Sequence, residues 1–263
     1  MSLIGRLISP KREEPAIPAA ERLEQALAAH KAGDTRRALS LWVPLAEAGE
    51  PRALNALGAL YLDGDGVTRD AGHGAMLIAR AADAGQVAAM RNLALLYFEG
   101  RGVPQDHGIA AEWYERAADL GDAEAADMVS WMHLVGGGVT QDYAKSRQYG
   151  IQAARAGRPE AMARLGDIYH NALGIERDVA AAADWWRKAA DLGHTEAQAM
   201  LGAAHFMGRG AERDIVKALT WLYRARRGRS EVADSFIPQV EAAATPEQRE
   251  EAAKHASVAD GAP

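Results

Sequence analysis

Apolar and polar positions along the chain recur every thirty-six residues. Stepping forward from Gly58 lands on Ala94, Ser130, Gly166 and Gly202, all small. Leu57, Leu93, Val129, Leu165 and Leu201 stand just before them. A ring follows three residues after each: Tyr61, Tyr97, His133, Tyr169 and His205. Ala53, Ala89, Ala125, Ala161 and Ala197 complete the set. Spacings of four, one and three place these residues on one face of a helix, here called helix A. A second set, Leu77, Trp113, Tyr149, Trp185 and Trp221, is followed four residues on by Ala81, Ala117, Ala153, Ala189 and Ala225. It predicts helix B. Five units in phase, with no insertion or deletion, mean a stacked array of helix pairs and an all-α fold.

The small column is expected where a neighbouring helix passes close, because a larger side chain there would overpack the contact. The shared phase of Trp113, Trp185 and Trp221 places them in the core. Helix A ends in a glycine pair, Gly64/Gly66, Gly100/Gly102, Gly136/Gly138 and Gly208/Gly210, with Ala172/Gly174 as the departure in unit four. A left-handed residue is needed to stop the helix and turn the chain. Val67, Val103, Val139 and Ile175 are expected to tuck beneath that turn. Asp70, Asp106, Asp142, Asp178 and Asp214 then suit the N-cap of helix B.

The flanks divide the chain further. Residues 1–18, with three prolines from Pro10 to Pro18, read as a linker, and Leu3, Ile4, Leu7 and Ile8 could form one apolar helical turn. Residues 19–50 read as an amino-terminal capping helix pair, 51–228 as the five units, and 229–263 as carboxy-terminal capping helices with a frayed tail. Pro238 is expected to bend or divide a helix over Glu231–Ala243. Thr245-Pro246-Glu247-Gln248 has the form of a capping box.

Composition narrows the function. Hydrophobic residues make up 48% of the chain, much of it alanine, and the formal net charge is -6. An acidic chain lacks the counterion release that drives nucleic-acid binding, so no nucleic-acid partner is expected. No stretch approaches the ~20 apolar residues of a spanning helix, so membrane contact is not expected and the default is a cytoplasmic protein. There is no cysteine, hence no disulfide framework or thiolate zinc site. No hydrolase elbow, zinc-protease or phosphate-loop motif occurs. Gly136-Gly137-Gly138 falls in a repeat turn and is followed by Val139 rather than lysine. His133 and His205 read as packed histidines. Asp167 and His170 share a helix face but have no nucleophile beside them. On these readings no metal or cofactor is expected, and they point away from an enzyme. The arginines at 224, 226, 227 and 229 read as complementing a helix carboxy terminus, with an anionic partner as the other reading.

The columns Ala-x-x-x-Leu-Gly-x-x-Tyr, Gly-x-Gly-Val-x-x-Asp and Ala-x-x-Trp-x-x-x-Ala-Ala resemble Sel1-like repeats, a subclass of the tetratricopeptide-type helical repeats. Leu93, Tyr97, Gly100, Gly102, Val103, Asp106, Ala110, Trp113, Ala117 and Gly121 carry the likeness best. The resemblance implies antiparallel helix pairs coiled into a right-handed superhelix. It also implies an adaptor or scaffold whose A helices line a concave groove for another protein or peptide. Carrying over that face geometry puts Arg52, Asn55 and Leu62 on the groove in unit one. Arg91, Leu95 and Phe98 follow in unit two, and Glu124, Asp127, Trp131 and Leu134 in unit three. Asp167 and His170 follow in unit four and Phe206 in unit five. The large apolar members either anchor a partner or pack against adjacent A helices. Glu124, Asp127, Glu160 and Asp167 would favour a partner with basic residues. The alternative is a small-ligand-binding regulator or an enzyme built in the same groove.

Overall fold

The computed structural model describes residues 17–257. Fourteen helices and no strand occur among them. In order they are α1 (Ala19–Lys31), α2 (Thr35–Glu47), α3 (Pro51–Asp63), α4 (Ala71–Asp83), α5 (Val87–Glu99), α6 (His107–Asp119) and α7 (Ala123–Val135). Then come α8 (Tyr143–Arg155), α9 (Pro159–His170), α10 (Val179–Asp191), α11 (Thr195–Met207), α12 (Ile215–Arg227), α13 (Glu231–Ala243) and α14 (Pro246–Ser257). The expected apolar turn at Leu3–Ile8, nearly all of the linker and the tail beyond Ser257 lie outside the described residues. The helices gather into two compact units. One holds the described residues up to Ala89 with Arg101–Val103, and the other holds Met90–Gly100 and the described residues from Pro104 onward.

In the first unit α1 packs on α2, α2 on α3, and α3 on α4. The α3–α4 approach is close because both helices present glycine. A Cβ on Gly58 would lie 2.6 Å from Ile78 Cγ1, and one on Gly74 would lie 2.6 Å from the Gly58 carbonyl oxygen. Ala53, Ala81 and Ile78 are almost wholly enclosed there.

In the second unit each helix from α6 to α12 packs on the next, and α12 also holds α13 and α14. Bulk on helix B is matched by its absence on helix A. Trp186 fills the space beside Gly166, and Leu222 Cγ lies 2.8 Å from where a Cβ on Gly202 would stand. Unit three reverses the sizes. Its helix A carries Ser130 and its helix B carries Gly150, whose Cβ would meet Ser130 Oγ at 3.0 Å.

Leu77 and Tyr149 are buried as expected, at 5% and 6% exposed, but in the three repeats with a tryptophan the enclosed residue of helix B lies one position further on. Ile78, Tyr114, Trp186 and Leu222 are 3% exposed or less, whereas Trp113, Trp185 and Trp221 are only half-buried. Each of these three rings instead carries a cation on its face: Arg116, Lys188 and Arg224 stand 3.9, 4.1 and 4.9 Å from the centroids. The helix presents the next residue to its partner, and the indoles take the boundary with solvent, where an aliphatic stem and a charge cover them. Val67, Val103, Val139 and Ile175 are likewise half-buried rather than enclosed.

Helix ends follow the local chemistry. Asp70, Asp106, Asp178 and Asp214 each accept the N–H three residues on at 2.9 Å, and Asp142 does so at 3.0 Å. The N–H of each capping aspartate donates back to the backbone carbonyl of Tyr61, Tyr97, His133, Tyr169 or His205, which closes the turn between the two helices. Where the ring is a histidine, its Nδ1 meets a turn carbonyl: Thr140 at 3.2 Å from His133 and Glu212 at 2.9 Å from His205. Helix α7 stops at Gly136 with φ 72°, and unit four places Ala172 in the same left-handed region at φ 58°.

Pro238 neither divides nor ends α13, which runs unbroken to Ala243. Thr245 and Gln248 exchange hydrogen bonds, each side chain accepting the other's backbone N–H at 3.3 and 3.0 Å. Arg224 and Arg227 donate to the carbonyls of His255 and Ala256, at the last turn of α14. That satisfies acceptors the helix itself leaves open.

Candidate functional site

In the first unit the expected groove residues have three fates. Arg52 is exposed and pairs with Glu24 at 2.9 Å, and Asn55 is half-buried. Leu62 is a core residue, 5% exposed. It lies four residues after Gly58, so the helical period returns it to the face that packs on α4. A Cβ on Gly74 would sit 3.0 Å from Leu62 Cγ. Leu62 is therefore closed to a partner and leaves the set.

In the second unit, α5, α6 and α7, with Arg158 at the foot of α9, surround a cavity of about 260 Å³. Arg91, Glu124, Asp127 and Arg158 form its polar wall and belong to an ion-pair network that extends behind it to Asp122, Glu160 and Arg164. Arg91 Nη1 lies 2.9 Å from both Asp122 and Glu124. Arg158 reaches Glu124, Asp127 and Glu160 at 3.8, 3.9 and 3.7 Å. Arg164 donates to Asp127 Oδ1 at 2.6 Å and to Ser130 Oγ at 3.3 Å. Asp127 is only 8% exposed, so it serves the packing of α7 against α9 and is not a free groove charge. Tyr114 forms part of the cavity wall. Burial, followed by the charge of Glu99, pushes its phenol up to about 12, so it stays neutral.

The apolar wall is more open. Leu95 is 40% exposed, and Met128 beside it is half-buried. Towards the ends of the A helices, Phe98 stacks on His107 at 4.7 Å and meets the edge of Trp131 at 6.0 Å. Phe98, Trp131 and Leu134 are all half-buried. The rings thus pack on one another and still keep solvent-facing surface.

Asp167 and His170 do not form an acid–base pair. Asp167 accepts the Trp186 indole N–H at 3.1 Å, and His170 lies 5.2 Å from the same ring. Burial raises the Asp167 carboxyl above its ordinary value, against the Trp186 hydrogen bond. Burial lowers His170, with Arg177 next in effect. Phe206 packs half-buried against the core formed by α12 and α13.

Arg158 and Arg164 escaped the sequence reading because nothing local marks an arginine that pairs with another repeat. A larger cleft of about 550 Å³ beside α6 and α8 escaped as well. There His133 Nε2 and Lys145 Nζ meet Glu115 Oε1 at 2.9 and 3.0 Å. Burial pushes Glu115 up, but hydrogen bonds and charge from His133 and Lys145 outweigh it and hold the carboxyl below its ordinary value. This triad satisfies itself and offers no apolar anchor, so the smaller cavity is the better candidate despite its size. Among the described residues no group of three or more histidines and carboxylates could hold a metal ion. No described helix is long and apolar enough to cross a membrane.

In-phase helix hairpins with reciprocal large and small packing define an all-α tandem-repeat protein. The Sel1 repeat family matches residues 51–86, 87–122, 123–157, 159–194 and 195–228, and the chain belongs to that family. Among solved structures it resembles c5321, a protective antigen of uropathogenic Escherichia coli strains with an SLR fold. The TM-score is 0.80 at 27% identity, over 91% of this chain and 53% of that one. The chain thus spans about half the length of that antigen. It also resembles a Sel1 repeat protein from Oxalobacter formigenes, with TM-score 0.72 and 29% identity over 89% of this chain and 98% of that one. No curated protein matches its sequence. Sel1 repeat proteins are generally non-enzymatic scaffolds for protein interaction.

Proposed function

We propose that the chain is an adaptor that holds a segment of another protein against the A-helix surface of its second unit. Leu95 carries the reading. It is a large aliphatic side chain, 40% exposed, on a helix whose Ala89, Met90, Leu93, Ala94 and Leu96 are buried, and it borders a cavity lined by paired charges. The partner's apolar side chain would cover Leu95 and Met128, with Trp131 and Phe98 extending the contact. The ion pairs are already formed, so binding would require little reorganisation of the wall. Four carboxylates, Asp122, Glu124, Asp127 and Glu160, face three arginines, Arg91, Arg158 and Arg164, leaving one negative charge in excess. That excess favours a partner segment with a basic residue, although less strongly than four free acids would.

The test is a photo-crosslinking residue at position 95, with Arg80 on the outer side of α4 as the control position. The reading expects a discrete crosslinked protein from position 95 alone, and its loss when Phe98→Ala and Trp131→Ala are added to the same chain. A variant that keeps the same partner at unchanged affinity would overturn it.

A further inference from the structure

A second opening lies where α13 takes the place that a sixth helix A would occupy. Helices α9, α10, α11 and α13 enclose an apolar hole of about 180 Å³. Trp186, Met200, Ala203 and Phe236 form its walls, and Met207 stands 43% exposed at the mouth. His170 and Arg209 supply its polar edge. The volume is below the roughly 300–1,000 Å³ of small-molecule pockets but enough for about one large side chain. Methionine walls adapt to the shape of what enters.

The charges at this opening are unbalanced in one direction. Arg209 belongs to the turn after α11, and its side chain makes no hydrogen bond or ion pair among the described residues; neither does that of Arg177. Both guanidinium groups nevertheless act on His170, helping to hold its imidazole low after the larger effect of burial. Asp167, the nearby carboxylate, is engaged with the Trp186 indole and does not line the hole. A group that satisfies the site must therefore be apolar and carry a negative charge only a few ångströms away. In a polypeptide, the carboxy-terminal residue meets that need with its own atoms, because one Cα joins the side chain to the free carboxylate.

We propose that this hole receives the last residue of a partner polypeptide, its apolar side chain between Trp186 and Phe236 and its terminal carboxylate on Arg209. The proposal rests on the reading of the chain as a protein adaptor, but it concerns other residues, and its test needs no natural partner. Calorimetric titration of the full chain compares three blocked tripeptides: acetyl-Ala-Ala-Phe as the free acid, the same peptide as the amide, and acetyl-Ala-Ala-Ala as the free acid. The phenylalanyl acid is expected to bind with a Kd of about 1 mM or below. The amide should be at least about fivefold weaker, and the alanyl acid weaker still. Arg209→Ala should bring the phenylalanyl acid down to the level of the amide. Ala203→Leu, which fills the hole, should abolish both, with circular dichroism reporting whether the fold survives. Equal binding of acid and amide, indifference to Arg209→Ala, or no heat from any peptide at several millimolar would overturn the proposal. Absence of any crosslinked protein from position 95 would instead overturn the adaptor reading and leave the peptide result standing.

Discussion

Trp186 occupies the space that a side chain on Gly166 would need. The indole lies so close to the Gly166 backbone that an added Cβ would overlap Cδ1 and Nε1. Its N–H donates to Asp167, the neighbour of that glycine, so the ring is held by a hydrogen bond and cannot simply turn aside. Gly166→Ala should therefore cost about 1–3 kcal/mol in a urea melt. Gly166→Ala/Trp186→Leu should recover part of that loss, giving a coupling between the two sites. Additive effects would show that the two residues do not constrain each other.

The two aromatic positions of helix B should separate by substitution. Tyr114 is 2% exposed, and Tyr114→Ala should cost about 3–5 kcal/mol. Trp113 is half-buried under Arg116, and Trp113→Ala should cost roughly 1–2 kcal/mol. Equal losses in parallel denaturant melts would contradict this order.

Ala172 is a left-handed alanine at φ 58° where the other units use glycine. The conformation costs about 1–2 kcal/mol for a residue with a Cβ. Glycine would remove that strain but add about 0.4–1 kcal/mol of unfolded-state freedom. Ala172→Gly should stabilise by roughly 0.5–1 kcal/mol, whereas Gly136→Ala should destabilise. A lower midpoint for Ala172→Gly would show that the turn carries no strain.

Two carboxylates should give opposite pH slopes. Glu115 is held below its ordinary value of 4.5, so the folded state binds its proton less readily than the unfolded state. Its contribution is present above that value and is lost as pH falls through the folded pKa. Glu115→Gln should therefore be least stable relative to the parent near neutral pH and converge with it in acid. Asp167 is raised above 3.8 mainly by burial, so its penalty is relieved as pH falls towards that value. Asp167→Asn should compare best with the parent near neutral pH. Melts at several pH values would show both slopes, and parallel curves for either variant would refute its assignment.

The stack and its turns were legible in the sequence, because steric and capping demands recur at every thirty-sixth residue. Gly58, Gly166 and Gly202 mark close approach, and the five aspartates cap as expected. The buried column of helix B was misread by one residue at Trp113, Trp185 and Trp221, though not at Leu77 and Tyr149. Trp113 next to Tyr114 and Trp185 next to Trp186 offer two aromatic choices of similar apolar content. Only the small residue twenty positions earlier selects between them. The surface was legible only in part. Leu95 and Trp131 stood out by their size outside the packing columns and do keep exposed surface, whereas Leu62 was lost because a helix returns to the same face after four residues. The ionic wall was hidden because Arg158 and Arg164 meet their acids across repeat boundaries.

The reversed sizes at Ser130 and Gly150 limit how such an array can be rebuilt. A chimaera pairing α7 with a copy of α10 would set a serine against an indole. One pairing α9 with a copy of α8 would set glycine against glycine and leave a void. Whole hairpins can be shuffled without that mismatch, but single helices cannot. The smallest exchangeable piece of this chain is therefore the hairpin, and gene-level duplication or grafting should respect that border.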